Sequence, residues 1–317
     1  MIIYQSSWNI YEPAVESEFF NNLKLYINVI QMPLFISISG YLYYFYIFEK
    51  KKQENLTSFT WKKIKRLLFP YGIVSLIYFI PIRMILGFDG YQGSGAIKAV
   101  LMVSGIGHLW YLVMLFNVSI IAYALVKYIK NDRSIIIIAL LVFFISSGNP
   151  SKFEIKRTLF YIIFFMIGYY LRKYRHANLN MKQNIRLFIM HIILSVAFII
   201  YINTIGSNFT IVGKLLFIFA NTVGLISYYG LSTNSIENSK ISNTINSKLF
   251  KTIDRNSLGI YLFHEPIIFI IYSFIGSKSI YPIFLVLVCL ILSSSISIVI
   301  TECSRKMKFY ALIGEGK

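Results

Sequence analysis

The chain has 317 residues, 56% of them hydrophobic, 17% aromatic and only 14% charged. Soluble domains carry roughly 25% charged residues, so composition excludes one and leaves an all-α, polytopic transmembrane helix bundle. The net charge of +18 invites a nucleic-acid reading, which the placement of the cations rejects below. Cys289 and Cys303 make neither a disulfide framework nor a metal-ligand pattern, and no metal is expected.

In chain order, residues 1–28 read as an extracytoplasmic N-terminal segment. They hold Glu12, Glu16 and Glu18 and lack the apolar core of a signal peptide. Apolar windows then predict about nine spans, over 29–48, 67–86, 108–126, 134–147, 158–171, 187–203, 211–232, 257–275 and 281–301. Most approach the ~18–20 residues that cross a bilayer at ~1.5 Å per residue; the fourth and fifth are short. Residues 29–301 form one transmembrane domain, 233–256 a polar loop, and 302–317 a cytoplasmic tail. There is no internal repeat. Alternate connecting segments hold 23 and 6 of the Lys and Arg residues, the asymmetry of the positive-inside rule. It predicts a multi-pass cell-membrane protein with its amino end outside and its carboxyl end in the cytoplasm. The basic excess therefore sets topology, and nucleic acid is not an expected partner.

Polar groups at membrane depth are costly and are candidate functional groups. Four stretches carry them. In "MPLFISISG", Pro33 frees the carbonyl of Val29, and Ser37, Ser39 and Gly40 permit close helix approach; they serve either packing or a cavity. In "WKKIKRLLFPY", Lys62, Lys63, Lys65 and Arg66 stand at the cytoplasmic mouth of the second span. They either snorkel to lipid phosphates or cradle a cytosolic polyanion, where Arg gives bidentate contacts.

In "GIGHLWYLVMLF", His108 opens the third span. A helix amino terminus disfavours a cationic ring, so His108 is expected neutral and able to take a proton, or else is a structural histidine. In "NSLGIYLFHEPIIF", His264 and Glu265 lie well inside the eighth span, followed by Pro266. Adjacent helical residues point ~100° apart, so spacing alone does not pair them, yet the carboxylate needs a partner or water. His176 reads as a solvated loop residue and His191 as a packing residue.

"MPLFISISGYL", "KKIKRLLFPY", "GHLWYLVMLF" and "SLGIYLFHEPI", in this order, resemble the characteristic segments of the membrane acyltransferase 3 family. More narrowly they resemble its polysaccharide or fucose O-acetylase-like branch. The resemblance implies transfer of an acyl group, in the first instance acetyl, from cytosolic acyl-CoA to a hydroxyl of an extracytoplasmic polysaccharide or lipid-linked sugar. On that reading Lys62, Lys63, Lys65 and Arg66 bind the coenzyme A phosphates. His108 is base or hydroxyl positioner, His264 and Glu265 line the acyl or acceptor cavity, and Pro33 borders the reaction tunnel. Relatives usually open with a further span carrying an Arg and a His that is regarded as the main catalytic residue. They also often carry a His where this chain has Gln31. Against that pattern the chain is expected to lack the usual first span, and both differences bear on its activity. The alternative reading is a non-catalytic polysaccharide export accessory or an N-terminally truncated, inactive homologue.

Overall fold

A computed structural model describes residues 18–50, 54–87, 94–102, 107–174, 179–206, 210–236, 243–275 and 282–315. The acidic positions Glu12 and Glu16, and His176, lie outside the described residues. Among those described there is no strand. Helices cover all nine expected spans, and seven are long and apolar enough to cross a membrane. The two exceptions are α7 (Asp132–Ile145) and α8 (Ile155–Lys173), which match the two short predicted spans.

Helix α1 (Glu18–Tyr44) begins well before the expected first span, inside the stretch assigned to the outer segment, and ends in a wide π turn at Phe45–Glu49. Helix α1 runs through Pro33 without a break. Val29, whose carbonyl Pro33 frees, is buried, so neighbouring helices cover the defect. The small residues that follow make a close crossing with α8. A methyl group on Gly40 would sit 1.9 Å from the Phe165 carbonyl oxygen, and one on Gly168 would sit 1.8 Å from that of Ser37. Packing is therefore what Ser37 and Gly40 serve.

The second span is wound from three short helices, α2 (Leu56–Lys63), α3 (Phe69–Val74) and α4 (Ile80–Ile85), joined by π turns at Ile64–Leu68 and Ser75–Phe79. Each wide turn directly precedes a proline-containing helix start, with Pro70 and Pro81 as second residues. Proline removes one hydrogen bond and crowds the carbonyl four residues back, and a widened turn relieves both. A short helix, α5 (Ser94–Leu101), packs Ala96 and Val100 against this span.

Helix α6 (Trp110–Tyr128) is shared by two cores. Its residues Met114, Val118 and Ala122 join an aromatic core with Phe143, Phe160, Phe164 and Phe165, built from α1, α7, α8, α9 (Met181–Ile205) and α10 (Ile211–Ile236). Its residues Leu112 and Val113, with Leu109 just ahead of it, join the second core, with Phe79, Phe263 and Cys289. That core is built from the second span, α5, α12 (Ser257–Ile275) and α13 (Pro282–Lys306). Lys214 at the start of α10 is also explained: its ammonium donates to the carbonyls of Phe144 and Ser146, both at 2.6 Å, capping the end of α7.

Two segments read as loop or tail contain helical elements among their described residues. Within 233–256, α10 continues to Ile236, and an eight-residue helix, α11 (Lys248–Arg255), leads into α12. The tail expected at 302–317 begins as the last turn of α13. It then folds back as a 3₁₀ turn, Tyr310–Ile313, whose Ile313 is 1% exposed. Gly314, at φ +64°, lies against Arg66 and Pro70 of the second span, and Glu315 takes two hydrogen bonds from Arg305.

Candidate active site

The second core holds the charged centre. Glu265 sits midway along α12 and is 5% exposed. Its Oε1 accepts from Arg83 Nη2 at 2.8 Å, and its Oε2 accepts from the backbone N–H of His108 at 3.0 Å and meets the His108 ring at Nδ1. Arg83, in the last turn of α4, is 1% exposed. Its guanidinium lies 4.2 Å from the Phe79 ring centroid and 5.0 Å from that of Phe269, so aromatic faces replace part of its hydration. An ion pair this buried is costly to assemble and more costly to break on one side.

His108 lies in a 3₁₀ turn, Gly107–Leu109, one residue ahead of α6. Its Nε2 faces the Tyr261 carbonyl at 2.7 Å, and Tyr261 donates its hydroxyl to the His108 carbonyl. Both ring nitrogens thus face acceptor oxygens, and only the doubly protonated ring donates to both. A neutral His108, as expected from the helix terminus, would donate to one of these oxygens and leave the other facing a lone pair. The helix-dipole argument lacked the Glu265 carboxylate, which folding brings to the ring.

His264 is differently placed. Its Nδ1 donates within its own helix, to the carbonyls of Ile260 and Tyr261 at 2.9 and 2.8 Å. With Nδ1 as donor, the neutral ring keeps its lone pair on Nε2. The two imidazoles stand 4.7 Å apart, edge to face. His264 and Glu265 do not pair with each other, as their spacing requires, yet both converge on His108.

Gly107 makes the convergence possible. Its φ is +53°, and a Cβ there would lie 2.2 Å from Phe79 Cζ and 3.2 Å from Glu265 Oε1. Arg83 and His108 lie at the ends of their helices, whereas α12 runs about ten residues, ~15 Å, past Glu265. The site therefore lies deep in the bundle, at the level where α4 stops and α6 starts.

The remaining sequence candidates sit elsewhere. Lys62, Lys63, Lys65 and Arg66 lie at the opposite end of the second span, about 25–30 Å from Arg83 along the helix axis. Lys62 pairs with Glu54 at 2.5 Å, Lys63 lies over Phe59, and Lys65 turns back over Trp61. Pro33 and Gly40 belong to the other core. The opening stretch reaches the centre only indirectly: Phe35 packs edge to face on Tyr111 at 6.4 Å, and the Tyr111 ring is 5.7 Å from that of Tyr261. Reasoning from sequence missed Arg83 and Tyr261 as site residues. The signal for Arg83 was present, as a cation inside a predicted span; Tyr261 carried none.

A buried polar network also exists in the first core. His191, on α9, donates from Nδ1 to the Ala220 carbonyl at 2.9 Å, and its Nε2 lies 3.3 Å from the Tyr26 hydroxyl. The network holds no carboxylate or guanidinium, so the packing role expected for His191 fits it.

Against protein-family models, residues 2–302 match the acyltransferase 3 family model, described as an acyltransferase domain. No curated protein and no solved structure matches the chain. The match spans nearly the whole chain, centre and both cores alike, and the chain belongs to the acyltransferase 3 family of membrane acyltransferases.

Proposed function

We propose that the chain transfers an acyl group, in the first instance acetyl, from acyl-CoA to a hydroxyl of a cell-surface polysaccharide or lipid-linked sugar. The observation that carries this reading is the convergence of Arg83, His108, His264 and Glu265 from three separate spans at the level where two of them end.

In this mechanism His264 Nε2 takes the proton of the acceptor hydroxyl as its oxygen attacks the thioester carbonyl carbon. The tetrahedral intermediate carries an oxyanion. Arg83 and a doubly protonated His108 bring two positive charges against one negative charge on Glu265, and this net cationic, water-poor setting stabilises the oxyanion. The intermediate collapses by breaking the carbon–sulfur bond, and the thiolate takes the proton back from His264. Glu265 holds Arg83 and His108 in place and does not itself exchange a proton. Tyr261 fixes the backbone of the His108 turn.

The donor's phosphates stay at the end of the second span that carries the basic residues, which the charge bias assigns to the cytoplasm. Lys63 and Arg66 bind them, and the donor's extended pantetheine arm carries the thioester toward the centre. The acceptor enters from the opposite face, where α4 ends and α6 begins.

The test is acyl transfer from labelled acyl-CoA by the protein in liposomes. His264→Gln is expected to lower turnover by about 10²–10⁴-fold while leaving coenzyme A binding intact. Lys63→Ala with Arg66→Ala is expected to weaken that binding. Unchanged turnover in His264→Gln would reject the base assignment. In cells, loss of the protein should leave the surface polymer intact but without acyl esters; loss of the polymer itself would favour an export role instead.

A further inference from the structure

Helix α11 is short, amphipathic and pinned at the end of the bundle that carries the basic segments. Ser247 caps its start by accepting from the Phe250 N–H at 3.4 Å. Asn256, fully buried, joins it to α12: its side chain donates to the Thr252 carbonyl at 2.9 Å and to Glu302 Oε1 at 3.1 Å, and accepts from Arg305 at 3.3 Å. The helix thus leaves the bundle at the level of the last turn of α13, where that span ends in Arg305 and Lys306.

At ~100° per residue, Leu249, Phe250 and Ile253 fall on one face and Lys248, Lys251 and Arg255 on a face about 180° away. The apolar face is uncovered: Leu249 is 66% exposed, Phe250 46% and Ile253 41%. The cationic face borders a cleft of about 360 Å³, lined by Lys248, Lys251, Arg255, Thr252, Asn246 and Glu302. Glu302 is the one carboxylate in that lining, and it is already shared. It pairs with Arg305 at 2.7 Å and more loosely with Arg255 at 3.7 Å. An anion entering the cleft therefore meets an excess of positive charge.

We propose that α11 is an in-plane membrane helix and that its cleft binds the phosphate of an anionic phospholipid in the leaflet beside it. Three features select a lipid over a soluble phosphate. Cationic and apolar faces lie on the same two turns, as a helix at a headgroup boundary requires. The helix is fixed to the ends of two spans, where headgroups are. Its charge complements the anionic surface of an inner leaflet. The site is separate from the buried centre, and the inference does not depend on the chemistry assigned there.

The test uses the full chain in detergent, titrated with phosphatidylglycerol, phosphatidylcholine, coenzyme A and inorganic phosphate, with bound lipid read by native mass spectrometry. Phosphatidylglycerol is expected to bind in preference to phosphatidylcholine. Lys248→Ala, Lys251→Ala and Arg255→Ala together should lower its affinity on the order of a hundredfold, at about 1 kcal/mol per basic residue. Equal binding of the two lipids, or an unaltered affinity in the triple variant, would overturn the proposal. So would displacement of the lipid by inorganic phosphate or coenzyme A at millimolar concentration, which would make the cleft a soluble-phosphate site. A Phe250→Trp variant, which keeps every charge, gives an independent reading. Its added fluorescence should be quenched by brominated phosphatidylglycerol in liposomes; no added quenching would place the apolar face away from lipid and reject the in-plane helix.

Discussion

The two cores that share α6 both bury histidine in an apolar surround, and they treat it oppositely. In the first, His191 meets a carbonyl and a phenol. These partners are neutral and hydrogen-bonded, and cost far less to keep at membrane depth than charges do. In the second, His108 stands against Glu265, which is held by Arg83 with 1% exposure. Burying two formal charges is expensive, and the second core spends on them where a neutral pair would suffice for packing alone. Buried histidine does not mark a site by itself. Buried histidine beside a compensated charge pair does.

The sharpest way to break this comparison is to remove the proposed base. His264→Gln should lower acyl transfer by about 10²–10⁴-fold, measured as turnover in liposomes, with little change in thermal unfolding. Next comes the charge pair. Arg83→Met strands Glu265 and should cost roughly 3–5 kcal/mol; adding Glu265→Met should restore much of the stability, read by thermal unfolding in detergent, but none of the activity. In the first core the largest effect is steric. Gly168→Leu drives a side chain into the Ser37 backbone and should cost about 1–3 kcal/mol or more, with residual activity falling only in step with folded protein.

His191→Leu should cost about 1 kcal/mol, for one buried hydrogen-bonded ring, and leave turnover per folded molecule unchanged. A large loss of turnover would erase the distinction between the cores. The smallest effect concerns Asp132, at the start of α7. Partial burial raises its pKa, but hydrogen bonds from Lys173 and Tyr174 outweigh this and hold the carboxyl below its ordinary value. The folded state then binds this proton less readily than the unfolded chain does. Its contribution is full above the ordinary carboxylate range and disappears as pH falls through the lowered folded value. Asp132→Asn should therefore lower stability at neutral pH by less than about 1 kcal/mol, leave it unchanged at low pH, and so flatten the acid limb of the profile.

Much of the architecture was legible because lipid leaves few options: long apolar windows have to be helices. The helices over 134–147 and 158–171 were found despite their length, because their ends are marked by polar residues. The course of α1 was misread. Proline reads as a break, but whether a freed carbonyl matters depends on what covers it, and Val29 is covered by helices distant in sequence. The site was half legible. His108, His264 and Glu265 stood out as polar groups in apolar runs. That Glu265 reaches His108 rather than His264 depends on a crossing between α6 and α12 that no spacing encodes. Arg83 was visible as a cation inside a span, yet its role needed the partner 182 positions away. The helix α11 was lost in a Ser- and Asn-rich stretch because eight residues are too few to stand out from the loop around them.

The folded-back carboxyl end bears on how this protein can be handled. Ile313 is seated beneath the second span and Glu315 is clasped by Arg305, two residues before the chain ends. Reporter fusions that truncate the chain at successive loops, a common way to map orientation, would all delete this clasp except the last. An affinity tag joined directly after Lys317 would crowd it, so purification handles belong on a spacer.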